Sequence, residues 1–250
     1  MGTSPESVGM SSSRLGRINP AMQGFIDNGT LIGSSARIMR RGETVFSGCW
    51  GQRDRENNKP MTEDTIFRIY SMTKPIVSIA LMQMVEEGRL QISDPVSKFL
   101  PAMKSLQVSV AKTDAEFARV AYSLASTDRE MTVQDLLRHT SGLTYGSRGS
   151  GLINQAYIDA KIGDRGFSNE EFVSRLSTVP LKFSPGARWE YGVSTDVLGR
   201  LVEVVSGIPF ADFMQRRLLD PLGMRNTTYW PTEAQEKRFA RNYRISPVTG

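Results

Sequence analysis

Ser71 and Lys74 have residue types and a spacing that support nucleophilic chemistry, because they stand three residues apart in the segment FRIYSMTKP. On a helix such residues are neighbours, with Cβ atoms about 5–6 Å apart. A serine hydroxyl becomes a good nucleophile when a nearby base takes its proton. A lysine amine can be that base if burial and neighbouring positive charge lower its pKa. The pair therefore indicates a compact unit of nucleophile and base.

The residues around this pair predict a helix that begins just after Ser71. Pro75 fits the first helical turn, where its missing N–H has no partner to lose, and Gly88 is a typical helix end. The free backbone N–H groups and partial positive charge at a helix N-terminus suit an oxyanion. The predicted buried face consists of Ile76, Ile79, Ala80, Leu81 and Val85.

The motif by itself is weak, since a second match, Ser109 with Lys112, occurs in the same chain. An isolated Ser-x-x-Lys is in most cases a surface serine and a solvated lysine. Ser71 follows an apolar run and opens a core helix, whereas Ser109 lies in a polar region beside charged residues. We therefore assign the nucleophile to Ser71 and treat Ser109 as a coincidental match.

Tyr191 is a further candidate for chemistry, because it lies in a predicted loop before a helix over 195–205. A phenol close to a lysine can relay a proton, first from the serine and later to the leaving group. The competing interpretation is a half-buried packing tyrosine with its hydroxyl at the surface.

His139 and Cys49 are the only histidine and the only cysteine, and we favour a structural role for each. A Ser-His-Asp triad would have to use His139, but no Gly-x-Ser-x-Gly elbow occurs in the chain. His139 also sits in a helix-ending turn, where histidine often donates a hydrogen bond to the last carbonyl groups. Cys49 lies in an apparent strand, cannot form an internal disulfide, and is predicted to be a small core residue.

The composition is that of an ordinary globular protein, with 39% hydrophobic and 23% charged residues in a chain of 250. The net charge of +5 is spread without a block of five or more like charges, which argues against a nucleic-acid partner. One histidine and one cysteine argue against a structural zinc site. No signal-peptide pattern and no apolar run of membrane-spanning length occur, so we expect a cytoplasmic protein without membrane contact.

Hydrophobic periodicity in the first third of the chain predicts a helix followed by a hairpin. The helix covers 11–28, and the two strands cover 32–39 and 44–50, with Arg41 and Gly42 at the turn. A polar loop then leads to the helix that carries the serine and lysine pair.

From Ala102 onward the pattern predicts helices with many loops. Thr132 is the predicted N-cap of a short helix, and Ser168 with Glu171 forms a predicted capping box. Residues 238–245 are a candidate strand.

Five segments together resemble the family VIII carboxylesterases, which are serine esterases built on the class C β-lactamase fold. The segments follow one another in the expected order and span most of the chain, so their combination is far more specific than Ser-x-x-Lys alone. They are FRIYSMTKP (67–75), ISDPV (92–96), LLRHTSGL (136–143), PG with WEYGVS (185–194) and DPLGM (220–224).

The resemblance implies an α+β fold, in which an antiparallel sheet flanked by helices is joined to a mostly helical domain. It implies that Ser71 is the acylated nucleophile, Lys74 a proton-accepting partner and Tyr191 the proton relay to the leaving alcohol. The Ser71 backbone N–H would supply one oxyanion donor. Enzymes of this family need no metal and no organic cofactor; they hydrolyse short-chain esters, and some open β-lactams slowly.

Two features depart from the family pattern. β-Lactamases of this fold usually carry Tyr-x-Asn, and Val193 at the third position cannot make the hydrogen bond of that amide, which favours an esterase. Family members also continue beyond this point into strands that supply a third motif and the second oxyanion donor. We therefore expect the C-terminal strands to be missing and a second polypeptide or a swapped protomer to complete the sheet; a lone monomer would turn over weakly.

The sequence thus predicts three regions: 1–100 with the first part of the sheet domain and the Ser71 helix, 101–225 as a mostly helical domain, and 226–250 returning to the sheet. The predicted function is a serine carboxylesterase that acts on small-molecule esters through an acyl-enzyme. The alternatives are a β-lactamase or D-alanyl-D-alanine peptidase, and a non-catalytic binding or scaffold form of the fold. The natural ester and the oligomeric state stay open.

Overall fold

The computed structural model of the chain describes residues 4–114 and 119–243 and combines helices with antiparallel β-structure. Its contacts divide the chain into two compact units, which we call the sheet unit (1–69 and 229–250) and the helical unit (70–228). The Ser71 helix belongs to the helical unit. The domain limits predicted at residues 100 and 225 concern the division of the intact protein and stay a prediction.

The sheet unit is built on a hairpin that the sequence predicted. Its strands are β1 (Gly33–Arg40), β2 (Glu43–Asp54) and β3 (Lys59–Pro60), in the spatial order β1-β2-β3 with antiparallel pairing. Arg41 and Gly42 at the turn have positive φ values of 54° and 82°, the backbone geometry that a tight two-residue hairpin turn requires.

Two short helices precede this hairpin, α1 (Ser12–Leu15) and α2 (Ile18–Asp27), where the sequence predicted one. Pro20 explains the interruption, because it has no N–H and its ring would clash with the carbonyl of Gly16 in a continuous helix. A small core of Val8, Leu15 and Val45 packs between these helices and the hairpin.

The helical unit centres on a single helix, α7 (Ser194–Ser206), which packs against four others. Most of its residues up to Val202 are buried, as expected for a helix surrounded by neighbours; they are apolar except at its start, where Ser194 and Thr195 are buried too. The elements of this unit are α3 (Thr73–Glu86), β4 (Gln107–Asp114), β5 (Arg119–Ser126), α4 (Val133–Arg138), α5 (Leu152–Asp159), α6 (Asn169–Leu176), α7 (Ser194–Ser206) and α8 (Phe210–Met214), which continues as a π-helical turn (Gln215–Leu219).

The β4–β5 hairpin corrects the prediction that helices begin at Ala102. The two strands pair antiparallel from Gln107 opposite Ser126 to Asp114 opposite Arg119. Their sequences alternate β-branched or aromatic residues with small and polar ones, which is the two-residue period of a strand. Charged residues in this region made the two-residue alternation hard to recognise in the sequence.

The buried face of α3 differs in part from the predicted one. Ala80 and Leu81 are fully buried as expected, but Ile79 is 51% exposed and the face is completed by Val77 and Met84. The helical period of the buried residues was predicted correctly, but the buried face is rotated from the predicted one by a fraction of a turn.

The predicted strand over 238–245 is not a strand where the structure describes it. Phe239 forms a single parallel bridge with Ile66, after the short helix α9 (Glu233–Glu236), and residues 244 and 245 lie outside the described part. In the described ranges, no helix combines the length and apolar character needed to cross a membrane, and no group of three acidic, histidine or cysteine side chains could hold a metal ion.

Candidate active site

Ser71 lies in a 3₁₀ turn (Tyr70–Met72) that leads directly into α3. Tyr70 has a positive φ of 43°, a conformation that residues other than glycine seldom adopt, so the chain turns sharply just before the serine. Pro75 occupies the first turn of α3 as predicted. The first N–H groups of α3 have no partner within the helix and are available to an anion.

The three residues predicted to carry chemistry come together in the helical unit. The Tyr191 hydroxyl donates a hydrogen bond to Ser71 Oγ at 2.6 Å, and Lys74 Nζ donates one to the same oxygen at 3.3 Å. Lys74 Nζ also lies 4.8 Å from the centre of the Tyr191 ring. By contrast, Ser109 of the second motif lies within strand β4 and not at a helix N-terminus.

The charges of this cluster favour a phenol that titrates more easily than usual. The hydrogen bond with Lys74, then the one with Ser71, lowers the pKa of Tyr191 below its ordinary value. Burial by itself lowers the pKa of Lys74, but interactions with the hydroxyls of Tyr191 and Tyr145 outweigh burial and raise that pKa overall. Lys74 is therefore an ammonium at neutral pH and stabilises a negative charge on the phenol.

The loop that carries Tyr191 is fixed through the residue before it. The Glu190 backbone N–H donates to the His139 carbonyl at 2.8 Å. The Glu190 carboxylate accepts hydrogen bonds from Thr144 Oγ1 at 2.7 Å and Lys182 Nζ at 2.9 Å. These bonds hold the loop to the segment after α4 and leave the phenol little freedom to move.

The residue after Tyr191 must be glycine because of a close backbone approach. A Cβ on Gly192 would lie 2.5 Å from the Leu143 carbonyl oxygen and 2.6 Å from Thr144 Cα. Nearby, the buried hydroxyls of Ser141 and Ser194 share a hydrogen bond of 2.9 Å. The segment after α4 and the start of α7 are therefore clamped together around the tyrosine loop.

Tyr145 and Arg148 are site neighbours that the sequence did not identify. The Tyr145 ring centre lies 5.7 Å from that of Tyr191, and the Arg148 guanidinium lies 5.2 Å from the Tyr191 ring centre. Both residues belong to the glycine- and serine-rich segment after α4, which carries no motif. They can be recognised as neighbours of the site only from their positions in the folded chain.

His139 lies in the helix-ending turn that the sequence predicted, but its side chain makes a different contact from the predicted one. It ends α4 with a left-handed φ of 57°, and its ring centre lies 5.0 Å from that of Tyr191. Its Nδ1 atom is buried without a hydrogen-bond partner among the described residues, so the expected donation to the last carbonyls is absent there. Burial, and then the charge of Lys74, lowers the pKa of His139, which keeps the ring neutral.

Cys49 lies in strand β2 and is half-buried. Burial raises the pKa of its thiol above the ordinary value. A thiol that stays protonated is a weak nucleophile. Cys49 is nevertheless not the core residue that the sequence predicted, because its side chain is only partly buried.

The comparison with known families adds to this geometry. The model of the family described as Beta-lactamase matches residues 18–248. The chain belongs to the Beta-lactamase family. This membership confirms the resemblance found in the sequence and the mixed α+β fold that it implied.

Among curated relatives of this Beta-lactamase family chain, Esterase EstB of Burkholderia gladioli is 36% identical over 85% of the chain and 50% of its own length. Lovastatin esterase of Penicillium rubens is 29% identical over 92% of the chain and 56% of its own length. The solved structure of EstCE1, titled a hydrolase with promiscuous acyltransferase activity, superposes with a TM-score of 0.77 at 29% identity, covering 90% of this chain and 55% of that one. The chain spans about half the length of the relatives it matches.

Proposed function

We propose that this chain carries the nucleophile and proton-transfer groups of a serine ester hydrolase. The observation that supports this most is the Ser71 oxygen, which accepts hydrogen bonds from both the Tyr191 phenol and the Lys74 ammonium. A nucleophile within reach of a base that is itself oriented by a third group is the general arrangement of nucleophilic catalysis. Relatives named as esterases support the same reaction class.

In the proposed reaction, Ser71 Oγ attacks the ester carbonyl carbon while its proton passes to the Tyr191 phenolate. The carbonyl oxygen becomes an oxyanion, for which the Ser71 backbone N–H at the start of α3 is a donor. When the carbon–oxygen bond to the alcohol breaks, Tyr191 returns the proton to the leaving oxygen. Water then attacks the acyl-enzyme by the same proton route and releases the carboxylic acid.

Lys74 acts in this proposal as a fixed positive charge and not as the free base. The pKa of Lys74 is raised, whereas that of Tyr191 is lowered, so the phenol gives up its proton more readily relative to the ammonium. An ammonium beside a phenolate stabilises it and also orients the serine hydroxyl. This assignment refines the proton-accepting role that the family resemblance implied for Lys74.

Short-chain carboxylic esters are the proposed substrate class, in preference to β-lactams. Val193 occupies the third position of the Tyr-x-x segment, is only 3% exposed, and has no group that can hydrogen-bond an amide. A site that lacks this hydrogen bond loses little for an ester but leaves a lactam side-chain amide unpaired.

The test combines covalent labelling with turnover. A p-nitrophenyl phosphonate, which forms a stable adduct with an active serine, should add one mass equivalent to the chain, located on Ser71 by peptide mapping. Ser71→Ala should abolish the adduct, and Ser109→Ala, the matched change in the second motif, should leave it unchanged. Turnover of p-nitrophenyl butyrate should exceed that of nitrocefin.

Three results would contradict the proposal. An adduct on another residue would move the nucleophile away from Ser71. No adduct, under conditions that label a control esterase, would favour the non-catalytic alternative. Faster nitrocefin than ester turnover would instead favour the β-lactamase alternative.

A further inference from the structure

A cavity of about 820 Å³ lies in the helical unit beside the proposed active site. Its volume falls within the range of about 300–1,000 Å³ that is usual for small-molecule sites. Its walls combine aromatic and apolar side chains with polar and charged ones. They include Tyr145, Tyr157, Phe167, Phe172, Val193 and Asp196.

Tyr145 connects this cavity with the serine site. Its ring lines the cavity, lies 5.7 Å from the Tyr191 ring centre, and its hydroxyl interacts with Lys74. Val193, two residues after Tyr191, lines the same space. A substrate held at Ser71 can therefore place one of its substituents in the cavity.

Asp196 is the polar residue that sets the chemistry of this space. It stands in the first turn of α7, lies close enough to Lys74 and Tyr145 to act on their charges, and its accessible side chain lines the cavity. Across residues 4–114 and 119–243, no other side chain pairs with its carboxylate. Burial raises the pKa of this carboxylate, and the charge of Lys74 opposes that effect only in part.

The Asp196 side chain nevertheless stays exposed where it lines the cavity, so a ligand there can reach the carboxylate without displacing a protein partner. A ligand that brings an ammonium or another N–H donor into the cavity would supply the missing partner, and the aromatic walls would pack on its apolar part and attract its charge.

We propose that this cavity binds the larger substituent of the ester and that Asp196 selects substituents that carry an ammonium group at the end of an apolar stem. The inference rests on the proposed function for the ester bond, but the binding preference itself needs no turnover. Lys161 and Arg165 also line the cavity and are exposed, so a preference for anions is the opposing outcome.

The test measures binding to the Ser71→Ala protein by calorimetry with three probes of one shape: phenylbutylamine, phenylbutanol and phenylbutyrate. The amine should bind about tenfold more tightly than the alcohol, because a charge-assisted hydrogen bond replaces a neutral contact. The carboxylate should bind most weakly. Asp196→Asn should remove the preference for the amine.

Asp164→Asn is the matched control, because Asp164 lines the same cavity but already accepts a hydrogen bond from the Gly166 N–H at 2.9 Å. It should leave the order of the three probes unchanged. If Asp196→Asn does not fold, Asp196→Glu, which keeps the charge, should keep the preference. Equal affinities, tighter binding of the carboxylate, or an amine preference that survives Asp196→Asn would overturn the inference.

The outcomes separate this inference from the proposed function. Amine-selective binding without a phosphonate adduct on Ser71 would leave the cavity assignment standing and remove the hydrolase. A Ser71 adduct without amine-selective binding would support the hydrolase and overturn the cavity assignment.

Discussion

The Tyr191 phenol is the residue on which the proposed chemistry depends, because two cations and the serine hydroxyl surround it. Lys74 Nζ lies 4.8 Å and the Arg148 guanidinium 5.2 Å from its ring centre. Positive charge at this distance favours the phenolate. The phenol can thus take the Ser71 proton at a lower pH than an isolated tyrosine would.

The positive charge of Arg148 should affect the pH dependence of the reaction through Tyr191. Arg148→Met removes a positive charge, so the pKa of Tyr191 should rise. Since the phenolate is the proposed base, the rising limb of the plot of kcat/KM against pH should move to a higher pH by about half a unit. The rate at neutral pH should fall and recover at higher pH.

Arg216→Met is the control for this prediction, because Arg216 is exposed on another part of the helical unit and its loss changes the net charge equally. Its pH profile should match that of the unmodified chain. A uniform loss of activity in Arg148→Met, without a shift of the pH limb, would mean that Arg148 positions the substrate and does not tune the phenol.

At the scale of elements, the site depends on how closely the tyrosine loop approaches the segment after α4. Gly192 allows that approach, and the Glu190 hydrogen bonds fix it. The tyrosine loop leads into α7 and its contact segment follows α4, and these two helices pack against each other.

Gly192→Ala should therefore reduce activity strongly. The new Cβ would meet the Leu143 carbonyl oxygen at 2.5 Å, so the loop must move and carry Tyr191 away from Ser71. A displacement of this kind costs about 10²-fold in rate. Gly24→Ala in α2, where a Cβ meets nothing within 4 Å, is the matched change and should keep full activity. Equal phosphonate labelling rates in both variants would contradict the argument.

Asp135 links the start of α4 to the turn at its end. Its carboxylate, only 4% exposed, accepts two hydrogen bonds from Arg129, at 2.6 and 2.9 Å, and others from Thr132 and Thr140. Burial alone would raise the pKa of Asp135, but these hydrogen bonds outweigh it and lower the pKa to about 2. The N-cap predicted at Thr132 is thus part of a capping box with Asp135 and of a larger network.

Asp135→Asn should destabilise the chain at neutral pH by about 2 kcal/mol, the free energy that corresponds to the lowered pKa. Because the folded pKa lies below the unfolded one, the contribution is complete above the unfolded value, near pH 4, and disappears as the pH falls toward 2. Urea unfolding should therefore show a difference from the unmodified chain that shrinks on acidification. Exposed Asp159→Asn should show little difference at any pH.

For the whole molecule, the open question is what lies beside strand β1. In the described part of the chain, β1 pairs with β2 alone and leaves one edge of eight residues without a partner strand. Such an edge is a template for another strand. We propose that a strand of a second polypeptide or of a second copy of the chain pairs with this edge.

Hydrogen exchange and light scattering test this pairing. If the edge is covered, half of the β1 amides, those pointing away from β2, should gain protection as the measured mass rises above the 27.8 kDa of one chain. The β2 amides that donate to β1 serve as the internal control, because this pairing is already present within one chain. A species of 27.8 kDa with unprotected β1 edge amides and fast ester turnover would contradict both the pairing and the expectation of weak monomer activity.

The sequence was sufficient for features that depend on neighbouring residues. Ser71 at a helix start, the hairpin turn at Arg41 and Gly42, and the caps at Thr132 and Ser168 follow from local backbone preferences and side-chain hydrogen bonds. Tyr191 was a candidate from its position before a predicted helix, but only the family resemblance favoured a catalytic role over that of a packing tyrosine.

The tertiary structure decided what depends on distant residues. The β4–β5 hairpin, the buried phase of α3, and the approach of Tyr145 and Arg148 to Tyr191 arise from packing between segments far apart in the chain. The direction of each pKa shift at the site also depends on residues that are distant in sequence, because it is set by the charged groups that the fold brings close together. Local preferences thus placed the nucleophile, while long-range packing selected the charges around it.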